Sequence, residues 1–164
     1  MINAAQPVFP NNAVACIKTG IQAIDSDLRI FGRPLRESDP AQSVGVFGQQ
    51  WHPNEQSYEM VGGPQGPSEP TLASYQIAVQ ALIKDLDEER GLNSHSVLSK
   101  LIRATLYRNT SLMLALRALT VTMNGSTERT QRYGVRNVKY LSNELNGNFL
   151  YLSTLEFFLE TETV

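Results

Sequence analysis

The sequence predicts an α+β fold: a mostly antiparallel sheet of four to five strands with two helices packed on one face, in a single domain over residues 1–164. Three observations carry this reading. Apolar residues recur at helical spacing in two stretches, one long segment alternates between apolar and polar, and Asn-Gly pairs at 124–125 and 146–147 mark tight turns between extended runs.

Over 12–28, Val14, Ile17, Ile21, Ile24 and Leu28 fall at spacings of 3 and 4, the single stripe of an amphipathic helix. Pro10 with Asn11 or Asn12 marks its start, because an Asn side chain accepts the unpaired amide hydrogens of a first turn. Gly20 weakens the middle by roughly 1 kcal/mol relative to Ala. So narrow a stripe suits a helix lying on a sheet; a coiled-coil seam needs more heptads.

A short strand is expected over 43–48, where Val44, Val46 and Gly48 alternate after Pro34, Asp39 and Pro40. Residues 49–70 then form a Gly- and Pro-rich polar stretch, read as a long interaction loop. Beyond it, Ala73, Tyr75, Ile77, Val79, Ala81 and Ile83 share one parity while Ser74, Gln76, Gln80 and Lys84 share the other, giving a strand with one dry face and one wet face. The run DLDEERG after it reads as an acidic connection closed by glycine.

Asn93 or Ser94 is the expected cap of a second helix, with Val97, Leu98, Leu101, Ile102 and Leu106 as its apolar stripe. A turn at 108–111 leads into a segment helical in its first half and extended over 119–123. Two long strands follow, 128–141 and 148–160, with a bulge expected near Arg136 and Asn137, where the parity slips.

Composition excludes several function classes. A formal charge of −2 and a pI near 5.7 give no bulk electrostatic reason for tight nonspecific binding to DNA or to an anionic membrane. Cys16 is the single cysteine, which leaves no intrachain disulfide and reads as a small buried hydrophobe. No apolar run approaches membrane-spanning length, and 1–10 lacks the basic region and apolar core of a signal peptide, so a soluble protein made without export is expected.

Candidate chemistry is sparse. His52 and His95 stand in different elements without clustered ligands, so no metal site is expected. Asp85, Asp87, Glu88 and Glu89 lack the spacing and central glycine of a calcium loop. Gly62, Gly63 and Gly66 precede a strand and carry no Gly-Lys-Ser/Thr, so they cradle no phosphate. Ser94 and His95 lack a nucleophile-elbow turn. No catalytic residue and no cofactor is assigned; the chain reads as an assembly component and not an enzyme.

The loop carries Trp51, the only tryptophan, with His52, Tyr58, Met60 and Glu69. Large apolar side chains on a segment that builds no core of its own need burial elsewhere, in another protein chain. Arg129, Arg132, Arg136 and Lys139 crowd one strand, while acid collects at 85–89 and 156–162. These are either ordinary solvated faces or the complementary surfaces of a head-to-tail ring.

The order of motifs resembles the tail terminator proteins of long-tailed, non-contractile actinobacterial phages, a broad group that includes the tail-to-head joining protein of phage lambda. The resemblance runs from the first helix through RPLRESDPAQSVGVFGQQWHP and SEPTLASYQIAVQALIKDLDEERG to NFLYLSTLEFFLETET. Asp39-Pro40 before a short strand, Glu69-Pro70 before the long one and the closing aromatic strand ending in Thr-Glu carry it. The Trp51-His52-Pro53 run and the Gly-Pro content of the loop are the departure.

The resemblance implies a virion protein, synthesised in the host cytoplasm, that forms a homohexameric ring on the finished tail tube. Such a ring stops tube growth, joins the tail to the head connector or stopper protein, and leaves an axial hole for DNA without sequence-specific binding. The expected interface residues are Trp51, His52, Tyr58, Met60, Glu69, Arg129, Arg132 and Arg136. The alternatives are a head-completion or stopper protein of the same neck, a small cytoplasmic enzyme using the acidic connection, and a nucleic-acid-binding module using 129–139.

Overall fold

The computed structural model describes residues 1–3, 6–53, 72–123, 125–145 and 147–163. Helix α1 spans Asn11–Gln22, followed by β1 (Arg29–Phe31), β2 (Gln42–Pro53) and β3 (Leu72–Asp85). Then come α2 (Glu88–Arg108), α3 (Thr110–Ala118), β4 (Thr120–Met123), β5 (Ser126–Leu145) and β6 (Asn148–Thr163). The described strands form one sheet in the order β1-β2-β3-β6-β5-β4.

Two parts of the expected fold class are corrected. The sheet has six described strands instead of four to five, and it is mixed, because β1 runs parallel to β2 while the other neighbours are antiparallel. Three helices are present among the described residues instead of two. The third exists because Asn109 ends α2 with extended backbone and its side chain accepts from the Leu112 amide at 2.9 Å, starting a new helix in another direction.

Helix α1 is shorter than its apolar spacing suggests. Ala13, Ile17 and Ile21 are fully buried, but the chain leaves the helix after Gln22, where Asp25 turns onto the Asp27 amide at 2.8 Å. Leu28 is buried from the loop entering β1 and not from the helix. Pro10 occupies the N-cap position without a side-chain bond, and Asn12 Oδ1 accepts from the Ala13 amide at 2.9 Å in the first turn. Gly20 has its own reason: a Cβ there would lie 3.2 Å from Leu112 of α3, so the glycine lets the two helices approach.

Helix α2 starts earlier than expected. Asp87, read as part of a solvated connection, is its N-cap, accepting from the Arg90 amide at 2.7 Å, with Glu88 and Glu89 in the first turn. Arg90 folds back onto Asp85 with contacts of 2.8 and 2.6 Å, which holds the Asp85 carboxyl down to about 2. Ser94 therefore lies inside the helix. The buried stripe is His95, Leu98, Ile102 and Leu106, while Val97 and Leu101 are exposed.

The core lies between the helices and one face of the sheet, where Tyr75, Ile77, Val79, Ala81 and Ile83 of β3 meet Leu155, Phe157 and Leu159 of β6. Cys16 is half-buried against this core, and burial pushes its thiol pKa up. The opposite face carries Gln76, Gln80 and Lys84, crossed by the chain between β1 and β2. That crossing is tied down at several points: Leu35 donates its amide to Gln80 Oε1 at 2.8 Å, and Lys84 Nζ donates to the Glu37 and Asp39 carbonyls. Asp39 accepts from Arg33 at 3.0 and 2.7 Å and from the Arg36 amide at 2.6 Å. Gly45 permits the close pass, since a Cβ there would sit 2.7 Å from the Arg33 carbonyl.

The predicted turns hold. Gly125 and Gly147 adopt φ of 84° and 78°, left-handed values that favour glycine, and each links antiparallel strands. The register of β5 against β6 shifts between Val135 and Asn137, at the expected bulge, and also between Thr130 and Arg132. Strand β2 departs from expectation at its far end: it continues to Pro53, so 49–53 belong to the sheet and not to the loop.

Candidate functional site

Two surfaces stand out, on opposite faces of the sheet. The first is the outer face of the β5–β6 hairpin. Arg129 lies opposite Glu162 and Arg132 opposite Glu160 in the register, and both pairs form ion pairs, the first at 3.1 Å. Lys139 reaches Glu156 at 3.8 Å. Arg136, set at the bulge, instead stacks its guanidinium 4.9 Å from the Phe158 ring centroid. Gly134 makes room for that ring, since a Cβ there would lie 2.9 Å from Phe158 Cε1. The basic and acidic strands, read from sequence as either ordinary solvated faces or complementary ring surfaces, pair with one another within the chain at Arg129, Arg132 and Lys139.

The same hairpin leaves a long edge. Strand β5 has 20 residues, yet β4 covers it only from Ser126 to Arg129. Beyond Thr130, no described strand pairs with its outer side. At the other edge of the sheet, β1 pairs with β2 only over Ser43–Gly45. Open strand edges present backbone donors and acceptors that invite pairing with another chain.

The second surface is a groove of about 580 Å³ on the helix side, between α2 and the β5–β6 hairpin. Its floor is apolar, with Val79, Ala81, Val138 and Leu155, and Lys100 and Arg103 stand at its rim. His95, which is 5% exposed, also lines it. One ring N–H donates to the Ala81 carbonyl, and Nε2 has no hydrogen-bond partner. Burial holds the His95 pKa below its ordinary value, so the ring is neutral near pH 7 and Nε2 presents a lone pair.

Aromatic rings frame this histidine. Tyr151 lies tilted at 6.0 Å between centroids and Tyr140 meets it edge-on at 6.2 Å. The Tyr151 hydroxyl donates to the Glu88 carbonyl at 3.0 Å, and Gly91 admits its ring, because a Cβ there would come within 2.8 Å of Tyr151 Cε2. Ser99 and Ser153 join hydroxyls at 3.1 Å, one donating to the other, so neither oxygen lacks a partner. Among the described residues no hydroxyl is hydrogen-bonded to His95 Nε2, and no group of three His, Cys, Asp or Glu side chains is placed to hold a metal. The arrangement offers recognition: an apolar floor, one unfilled acceptor and a positive rim.

The structure distributes the sequence-predicted residues widely. Arg129, Arg132 and Arg136 share the outer face of the hairpin. The backbone of Trp51 and His52 lies in β2, opposite Tyr75 and Ser74. Tyr58, Met60 and Glu69 lie outside the described residues. His95 is the residue that sequence reasoning undervalued. Its place on the stripe His95, Leu98, Ile102, Leu106, at spacings of 3 and 4, was the available signal that the ring turns inward. No described helix is long and apolar enough to cross a membrane.

No family model matches the chain, and no curated protein matches it. Among solved structures, it is similar to a chain from the virion of a native gene transfer agent particle, with a TM-score of 0.47 and 10% identity, covering 94% of this chain and 99% of that one. A second solved chain has a TM-score of 0.47 and 9% identity, with 96% of each chain covered.

Proposed function

We propose that the chain is a structural virion protein that assembles into a closed homohexameric ring, caps the phage tail tube, ends its polymerisation and joins the tail to the head connector. The single observation that carries this reading is that, among the described residues, no strand pairs with the outer edge of β5 beyond Thr130, on a strand anchored to the rest of the sheet through β6. A rigid strand with an unfilled edge is a preformed docking element, and a ring gives every copy the same neighbour. The sequence resemblance to tail terminators supplies the identity of the tube and neck as partners. Trp51, His52, Tyr58, Met60, Glu69, Arg129, Arg132 and Arg136 are the residues assigned to these contacts.

Arg129, Arg132 and Lys139 each have a carboxylate neighbour, so this contact face carries little net positive charge to retain a polyanion passing through the ring. The test is to add the purified chain to polymerising tube protein: tube growth stops and a ring appears at one end by electron microscopy. Unchanged tube lengths and bare ends contradict the proposal.

A further inference from the structure

We infer that the groove between α2 and the β5–β6 hairpin binds an extended acidic peptide segment of another protein, with carboxylates against Lys100 and Arg103 and a Tyr or Trp side chain donating to His95 Nε2. The inference goes beyond the ring reading and does not depend on it, because the groove lies on the helix side of the sheet while the ring contact uses the edge and outer face of β5.

Shape selects an extended chain. The wall supplied by α2 runs from Glu88 to Arg103, which is about 22 Å at roughly 1.5 Å rise per residue. That length takes about six or seven residues of extended peptide at roughly 3.3 Å each, more than a small ligand seated at one end would use. The facing wall is Val138, Tyr140 and Ser142, alternate residues of β5 on one face of the sheet, so a peptide lying along it meets an apolar floor with hydroxyls at its side.

Charge sets the peptide's sign and direction. Lys100 and Arg103 are exposed, and neither has a carboxylate partner among the described residues; Arg103 lies 5.8 Å from the Tyr107 ring centroid and is otherwise open. Glu88 stands at the other end of the groove, about 18 Å from Lys100 along the helix and well beyond the roughly 8 Å screening length of physiological salt. The groove is therefore acidic at one end and basic at the other, and carboxylates seat at the second. His95 is the independent mark of an occupant: it is 5% exposed, and its Nε2 has no hydrogen-bond partner. A Tyr hydroxyl or Trp indole N–H supplies that donor, and Tyr140, 68% exposed and edge-on to His95, is the wall that yields to it. His95 is about 8–12 Å along α2 from Lys100 and Arg103, which sets the aromatic residue about two to four positions from the carboxylates.

The test is fluorescence anisotropy of the full-length chain with labelled heptapeptides that carry one Tyr, paired Glu about two to four positions to either side of it, and Ala elsewhere. Saturable binding is expected, weakened at least about tenfold by K100E with R103E and by raised salt. A Phe in place of the peptide's Tyr is expected to weaken binding at least about threefold to the wild type and to leave binding to H95F unchanged. Lys100 and Arg103 are exposed on α2, so a thermal melt serves as the folding control for their reversal, and the Tyr-against-Phe comparison on the wild type reads the donor even if H95F fails to fold. No saturable binding at millimolar peptide overturns the inference, as does binding that the double reversal leaves unchanged. Equal binding with Ala in place of the Tyr reduces the groove to general anion attraction and also overturns it. A reversal that weakens self-association while no peptide binds assigns the groove to a second copy, and one that lowers Tm while no peptide binds shows it filled within its own chain; both count against the inference.

Discussion

The Tyr75 hydroxyl donates to Glu128 Oε1 at 2.6 Å, across 53 residues of chain, and Thr161 Oγ1 donates to the same oxygen at 2.5 Å. One carboxylate therefore ties β3, β5 and β6 together at the end of the sheet where β2 and β3 reach Pro53 and Leu72. Hydrogen bonds to a charged acceptor at a partly buried site contribute about 1.5–3 kcal/mol. Tyr75→Phe keeps the ring that stacks on Phe9 and removes only the donor. It is expected to cost about 1–2 kcal/mol, seen as a fall of about 3–6 °C in Tm. An unchanged melt would show that the bond contributes nothing.

The Arg33 clamp predicts an acid transition. Its guanidinium, followed by the Arg36 amide, lowers the Asp39 carboxyl from 3.8 to about 2, and Arg90 does the same for Asp85. The folded chain then binds fewer protons than the unfolded chain in this range. The stabilisation is fully present above pH 3.8 and is lost as the pH falls toward about 2. Asp39→Asn is expected to lower stability at neutral pH and to flatten the decline between these values in denaturant titrations. A decline as steep as in the wild type would remove Asp39 from the transition.

Gly91 is a packing glycine inside a helix. Alanine there gains roughly 1 kcal/mol of helix propensity, but its Cβ meets the Tyr151 ring at 2.8 Å and Asp85 Cβ at 3.0 Å. Crowding of this kind costs about 1–3 kcal/mol. Gly91→Ala is therefore expected to lower Tm and to disturb the near-ultraviolet signal of Tyr151; a raised Tm would mean that propensity wins.

The outer ladder predicts a separation of stability from assembly. Arg132 is 70% exposed on its side chain, and solvent and salt screen an exposed ion pair, so it adds little to stability. Arg132→Ala should melt close to the wild type. Any larger change belongs to assembly and is read by sedimentation, where the proposed interface role gives weaker association.

Much of this architecture is legible in the sequence because it rests on local periodicity. The alternation from Ala73 to Ile83 yields β3 almost to the residue, and the glycines at 125 and 147 fix both hairpins through their backbone conformation. The remainder depends on contacts distant in sequence. Strand β1 is three residues long, too short to show a period, and forms only because β2 offers it a parallel edge. The end of β2 through Trp51 and His52 reads as loop by composition, yet the 14-residue β3 provides a template as far as Pro53. The groove escapes sequence reading for the same reason. His95, Lys100, Tyr140 and Ser153 come together only when α2 lies on the hairpin, and the solitary histidine shows no ligand spacing.

The most direct measurement of the central claim is the native mass of the purified full-length chain at virion-like concentration. Self-assembly into a closed ring predicts one discrete species at about six times the 18.2 kDa chain mass. A chain that stays at its single-copy mass under those conditions, or that grows into open-ended filaments, would contradict it.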